Sequence, residues 1–236
     1  MSAKDGLLSP LSLLRLQSWM SSTFPSGAYS YSHGIEWAVD VGQIHSRDSL
    51  IDWLDADLRY GSGRNDAIFF QEAFRSAADN DRARLRHVAE LAAAFRGTPE
   101  FFLESSQQAA AYLVTLRHVW PDALLDFLSE IYDDRRVQPA VAIVLGVRCA
   151  TGSVPASLAL PAYLHSYAAN LVSAGIKLVP LGQTDGQLAI AELERAILFA
   201  SEFGDRATID DLGSAAVMID FASIAHETQY TRLFRS

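Results

Sequence analysis

Apolar residues recur along this chain at three- and four-residue steps, a period that only an α-helix gathers onto one face. Leu50, Leu54 and Leu58 follow that step with Asp52, Asp55, Asp57 and Arg59 between them. Leu85, Val88, Leu91, Ala92 and Phe95 repeat it among Arg82, Arg84, Arg86 and Glu90, and Ile190, Leu193, Ile197 and Ala200 repeat it beside Glu192, Glu194 and Arg195. Each segment reads as an amphipathic helix with one face for a core and one for water. The spacing predicts helices over 10–20, 33–41, 47–60, 66–79, 81–96, 99–119, 122–132, 139–151, 156–175, 186–203 and 208–226. Alternating β-branched runs bounded by turn pairs are missing. Val141 to Leu145 reads as a buried strand or, since it runs on through Gly146 to Ala150 without a turn, as a buried helix. The expected fold is all-α: a single-domain helical bundle of about ten helices over residues 1–225, followed by a tail over 226–236.

The helix ends carry their own chemistry. Thr98-Pro99-Glu100 supplies an N-cap, a proline at the first helical position and a first-turn acid. Thr208-Ile209-Asp210-Asp211 reads as a capping box with Asp in place of Glu. Gly97 and Gly204 stand where helices are expected to stop.

Composition removes several functions. With 236 residues, half of them hydrophobic, the chain is long enough to bury a substantial core. Its formal charge of −9 repels phosphate backbones, and no basic run exceeds Arg135-Arg136, which speaks against nucleic acid and anionic membrane surfaces. Cys149 stands alone, so neither an intrachain disulfide nor a Cys-rich zinc site is available. The stretch from Cys149 to Ile176 lacks charge, but Pro155, Pro161, His165 and Asn170 make it a buried helix rather than a membrane span. Met1 to Gly6 does not read as a signal peptide, and a cytoplasmic location is expected.

Local catalytic or metal motifs are also missing. No G-x-x-x-x-G-K-[ST] loop cradles a phosphate. His33, His45, His87, His118, His165 and His226 are scattered, so no ligand pair shares a helix turn. Asp133-Asp134 lacks the third acid of a diphosphate-binding magnesium motif, and Asp210-Asp211 suits a helix N-terminus. Ser30-Tyr31-Ser32-His33-Gly34 has the flavour of a nucleophile turn without its full pattern. The expectation is a protein that is not an enzyme, with no metal and no cofactor of its own; a helical hydrolase or diphosphate enzyme is the distant alternative.

Three segments stand apart from a plain bundle. The first is Phe24-Pro25-Ser26-Gly27-Ala28-Tyr29-Ser30-Tyr31-Ser32-His33-Gly34-Ile35-Glu36, a loop of small residues and rigid aromatics. The second is Asn170-Leu171-Val172-Ser173-Ala174 leading through Lys177 to Pro180-Leu181-Gly182-Gln183-Thr184-Asp185-Gly186-Gln187. The third is the ending, His226-Glu227 with Tyr230-Thr231-Arg232-Leu233-Phe234-Arg235-Ser236. In this order and spacing, from about Leu11 to the last residue, the chain resembles the urease accessory protein F family. It departs from the family habit at Ala28, at Lys177 where Arg is common, and at Gln138 where His is common. The resemblance implies an all-α accessory protein, usually a homodimer, that joins a second accessory protein (D or H) and a nickel-carrying GTPase (G) to build the metal centre of apo-urease. It implies that nickel is handled by those partners. It also implies that Tyr230, Arg232, Leu233, Phe234 and Arg235, with His226 and Glu227, bind the D/H partner. Tyr29, Ser30, Tyr31, Ser32, His33, Gly34 and Glu36, together with Lys177, Pro180, Leu181, Gly182, Gln183 and Asp185, are expected to face the GTPase. A direct GTPase-activating role, with Lys177 entering the nucleotide site, is the nearer alternative.

Overall fold

A computed structural model describes residues 8–134 and 136–235. Met1 to Gly6, Arg135 of the Arg135-Arg136 pair and the terminal Ser236 lie outside the described residues. Among the described residues the chain forms eleven α-helices, two 3-10 turns and no strand. The helices are α1 (Pro10–Trp19), α2 (Ile35–Asp40), α3 (Arg47–Tyr60), α4 (Ser62–Ala78), α5 (Arg82–Ala94), α6 (Pro99–Val119), α7 (Ala123–Tyr132), α8 (Val141–Thr151), α9 (Ala156–Leu178), α10 (Gln183–Arg206) and α11 (Val217–His226). The 3-10 turns are Ala28–Ser30 and Ile209–Asp211. The all-α bundle expected from the apolar period is the fold.

Helices α4 and α8 form the centre, packed most extensively against each other. Residues 141–151 are the buried helix rather than a strand, with Ile143, Val144, Leu145 and Val147 in the core. The two axes come close because Gly146 carries no side chain: a Cβ there would lie 2.5 Å from the Phe70 carbonyl oxygen. Phe70 stacks on Tyr163, which ties α4 to α9. The uncharged stretch ending at Ile176 becomes the end of α8 and most of α9, with Pro161 inside the latter helix. No helix among the described residues is long and apolar enough to cross a membrane.

The caps act where the sequence placed them. Thr98 accepts from the Phe101 amide at the start of α6, and Thr208 from the Asp210 amide. The structure differs at several boundaries: α9 runs on to Leu178, α10 spans Gln183–Arg206, and three further differences have a visible cause. Helix α4 begins at Ser62 rather than 66, because the Asp57 carboxylate accepts from the Ser62 and Gly63 amides. Gly204 lies inside α10, its bare Cα facing Ala67 of α4, rather than at a helix end. The expected single helix over 208–226 is a 3-10 turn, an extended stretch and then α11. Tertiary hydrogen bonds pull that stretch out of the helix: the Gly213 amide donates to Asn65 Oδ1, Arg64 Nη1 donates to the Gly213 carbonyl, and the Ala215 amide donates to the Tyr60 carbonyl.

Gly146→Ala tests the central packing. Helix propensity alone favours Ala by about 1 kcal/mol. The contact with the Phe70 carbonyl reverses the sign, and overpacking is expected to cost about 1–3 kcal/mol in urea denaturation. A more stable variant would contradict the packing described.

Candidate functional site

The loop before α2 is shaped by backbone that ordinary residues avoid. Gly27, His33 and Gly34 all have positive φ, at 76°, 55° and 78°. At Gly34 a Cβ would sit 3.0 Å from the Ser223 nitrogen, so the loop lies against α11. His33 is not glycine, and its left-handed backbone costs about 1–3 kcal/mol. Its ring is held on every side. It stacks on Phe101 at 3.9 Å between centroids, and Nδ1 lies 3.0 Å from Glu104 Oε2. Nε2 lies 3.2 Å from the Tyr167 hydroxyl, whose proton goes to Asp57 Oδ2 at 2.7 Å. With that proton committed, Nε2–H of His33 donates to Tyr167 and Nδ1–H donates to Glu104, the pattern of an imidazolium. Burial works to lower the His33 pKa, yet the Glu104 carboxylate, helped by Asp57 and Asp66, holds it above its ordinary value. Burial pushes the Asp57 carboxyl up.

A pocket of about 50 Å³ adjoins this network, lined in part by His33, Glu104, Arg96, Asp66, Tyr163 and Tyr167. Arg96 Nη2 pairs with Asp66 Oδ1 at 3.0 Å, and the Tyr163 hydroxyl donates to Asp66 Oδ2 at 2.7 Å.

The second polar cluster gathers the C-terminus. His226 ends α11 and is fully buried. Its Nδ1 lies 2.8 Å from Glu100 Oε2 and its Nε2 3.2 Å from Glu36 Oε2. Glu100 stands in the first turn of α6 and Glu36 in the first turn of α2. Beyond His226 the chain folds back. Arg232 Nη1 donates to Glu100 Oε1 at 3.0 Å. The Leu233 amide donates to Glu36 Oε1 at 2.6 Å and the Phe234 amide to Glu36 Oε2 at 2.8 Å. The Arg235 amide donates to the Ser30 carbonyl, and the Phe234 ring is buried beneath the Lys177 ammonium at 5.5 Å. Burial raises the Glu100 pKa, opposed by His226 and Arg232.

The three sequence segments therefore meet. Ser30 and Glu36 of the first, Lys177 of the second and the ending of the third close on Phe234. A groove of about 290 Å³ runs between the first two segments, lined by Tyr29, Tyr31, Lys177 and Gln183 among others. The segments divide by exposure. Tyr29 (77 %), Tyr230 (103 %) and Leu233 (68 %) face outward, as do Lys177, Pro180, Gly182, Gln183, Arg232 and Arg235. Ser30, Leu181, Asp185 and Glu227 are half-buried. Tyr31, Ser32, His33, Gly34, Glu36, His226 and Phe234 are buried, so they shape this surface from beneath rather than present themselves on it. Asp185 accepts from the Gly182 amide at the start of α10. The ending is hydrogen-bonded to the bundle as far as Arg235.

Sequence reading missed the buried partners Asp57, Asp66, Arg96, Glu100, Glu104 and Tyr167. Glu104 is 71 positions from His33, and Glu100 is 126 from His226. The one local signal was Glu100, placed by its cap. Among the described residues no group of three or more His, Cys, Asp or Glu is placed to hold a metal ion.

Fold and site together define an all-α protein whose unusual segments build a surface over a polar, carboxylate-lined interior. Residues 44–194 match the UreF family model. The urease accessory protein UreF of Rhodopseudomonas palustris strain BisB5 is 46% identical over 225 residues, covering 95% of this chain and 91% of that protein. Proteins of the same name from Granulibacter bethesdensis and Bradyrhizobium diazoefficiens are each 43% identical over 224 residues, covering 95% of this chain and 94% and 91% of their own lengths. The chain belongs to the UreF family.

The His33 network fixes a pH dependence. A histidine with a raised folded pKa contributes stability that is present below the unfolded value near 6.5 and lost as pH rises through the folded value. Unfolding free energy is expected to be larger at pH 6 than at pH 8.5, and His33→Gln to remove most of the difference in paired denaturation curves. An unchanged slope in the variant would contradict the charged ring.

Proposed function

We propose that this chain serves urease maturation as a non-enzymatic scaffold. It joins the D/H accessory protein and the nickel-carrying GTPase G, and through that complex helps to assemble the nickel centre of apo-urease. It works as a cytoplasmic homodimer, and the nickel and nucleotide chemistry belongs to its partners. Family membership supports the setting. The observation that carries the scaffold reading is the convergence of the three segments on Phe234, which leaves rigid aromatic and aliphatic side chains facing out at Tyr29, Tyr230 and Leu233. Side chains of this kind are the usual anchors of protein interfaces. The acidic chain, at −9, is suited to a basic face on a partner.

In this reading Tyr230 and Leu233 meet the D/H partner, with Arg232 and Arg235 at the rim. Tyr29 and the connector around Lys177, Pro180 and Gln183 meet the GTPase. A direct effect on GTP hydrolysis is the second reading, favoured by the Lys177 ammonium at the edge of the groove. Lys177→Ala, assayed for GTP turnover in the assembled complex, separates an inserted charge from simple scaffolding.

Tyr230→Ala combined with Leu233→Ala removes two exposed anchors without touching the core. Calorimetric titration against the D/H partner is expected to show roughly 10–100-fold weaker binding, as two interface anchors of about 1–1.5 kcal/mol each imply. Glu192→Ala on the outer face of α10 is expected to change it less than about 2-fold. Equal small losses would remove the tail from the interface. Restoration of urease activity in cells lacking their own F protein tests the whole reading.

A further inference from the structure

Glu36 has two unlike tasks. Its carboxylate accepts the amides of Leu233 and Phe234, which are the backbone ties of the ending, and it also faces Nε2 of His226 at 3.2 Å. The other ring nitrogen, Nδ1, meets both oxygens of Glu100, at 2.8 and 3.0 Å. A neutral imidazole has one N–H, so it donates to only one of two carboxylates. With both carboxyls ionised, as the amides and Arg232 that donate to them favour, both bonds exist together only in the imidazolium. The ring is fully buried, so bulk solvent does not reach it, and an unpaired polar group there is costly.

We propose that the docked C-terminal segment is a proton-operated latch, closed when His226 is an imidazolium bridging Glu36 and Glu100 and released when the ring gives up its Nε2 proton. The two ring nitrogens are not equivalent. Nδ1 has the shorter contacts, to a carboxylate that Arg232 also holds. Nε2 has the longer contact, so its proton is the one that leaves. A nitrogen lone pair then faces the Glu36 carboxylate inside the protein. Glu36 turns away from the ring, and the amides of Leu233 and Phe234 lose their common acceptor. The Phe234 ring, held otherwise by Lys177 and the Ser30 carbonyl contact of its neighbour Arg235, leaves its seat. The charged groups around the ring are Glu36 on α2, Glu100 on α6, and Glu227 and Arg232 on the segment itself. Release turns a buried Phe234 into a third exposed anchor beside Tyr230 and Leu233. The latch stands on the geometry of this chain; its consequence for partner capture rests on the function proposed above.

The test is amide and ring NMR on the full chain across pH 5.5–10. Nitrogen-15 shifts of His226 report its protonation, and backbone order parameters of Leu233, Phe234 and Arg235 report the latch. The order parameters are expected to fall from about 0.85 to below about 0.6 in step with loss of the ring proton. Glu36→Gln, which keeps side-chain volume and removes the bridging carboxylate, is expected to give a mobile ending at every pH while α11 stays ordered. A ring that deprotonates while the ending stays rigid would overturn the proposal, as would a ring that keeps both protons to pH 10. Binding of the D/H partner is measured separately. A pH-dependent ending without partner binding would leave the latch standing and remove only the partner reading.

Discussion

A carboxylate inside a helical bundle is tolerable only where donors surround it, and the site of this protein is organised by that requirement. Glu36 is buried and is satisfied by one imidazole and two backbone amides from the far end of the chain. Glu100 is satisfied by the other side of the same imidazole and by Arg232. Glu104 takes the second buried histidine, His33, whose other nitrogen reaches Asp57 through the Tyr167 hydroxyl. The two clusters are joined along α6, which supplies Glu100 and Glu104 one turn apart. Two of the acids are also favoured by their own helices: Glu36 and Glu100 stand in first turns, where the macrodipole favours negative charge. Local and tertiary electrostatics therefore agree, which is what a foldable polar core needs.

The consequence for the surface is that its conspicuous segments behave as one unit. The Gly34 backbone approaches α11, His33 and Glu36 reach inward, and Tyr29 and the exposed residues of the ending are left outside. Buried members set the position of exposed ones. A residue such as His33 acts on the surface through the position of its neighbours, since its own ring is sealed between Phe101, Glu104 and Tyr167. The absence of direct contact does not make such residues passive. A strained φ at His33 persists because stacking and charge-assisted hydrogen bonds over-determine it.

The helices themselves were legible because a period of three to four residues is a local property. Leu50, Leu54 and Leu58 all became core, as did Leu85 and Val88. Thr98 and Thr208 capped as read, because a side-chain oxygen reaches an amide two or three residues on. Reading failed where a tertiary bond competed with a local one. Residues 212–216 left the helical path for hydrogen bonds to Asn65, Arg64 and Tyr60, and Gly204 served close packing against Ala67 instead of a helix stop.

The chain by itself determined the fold class, most helix limits and the segments that mark the UreF family, since each of these depends on residues a few positions apart. Tertiary structure alone decided which of the marked residues face water and which carboxylate receives which histidine. Those outcomes depend on groups far apart in the chain, such as the Phe234 amide and Glu36 at 198 positions, and no local pattern encodes which distant donor will satisfy a buried charge.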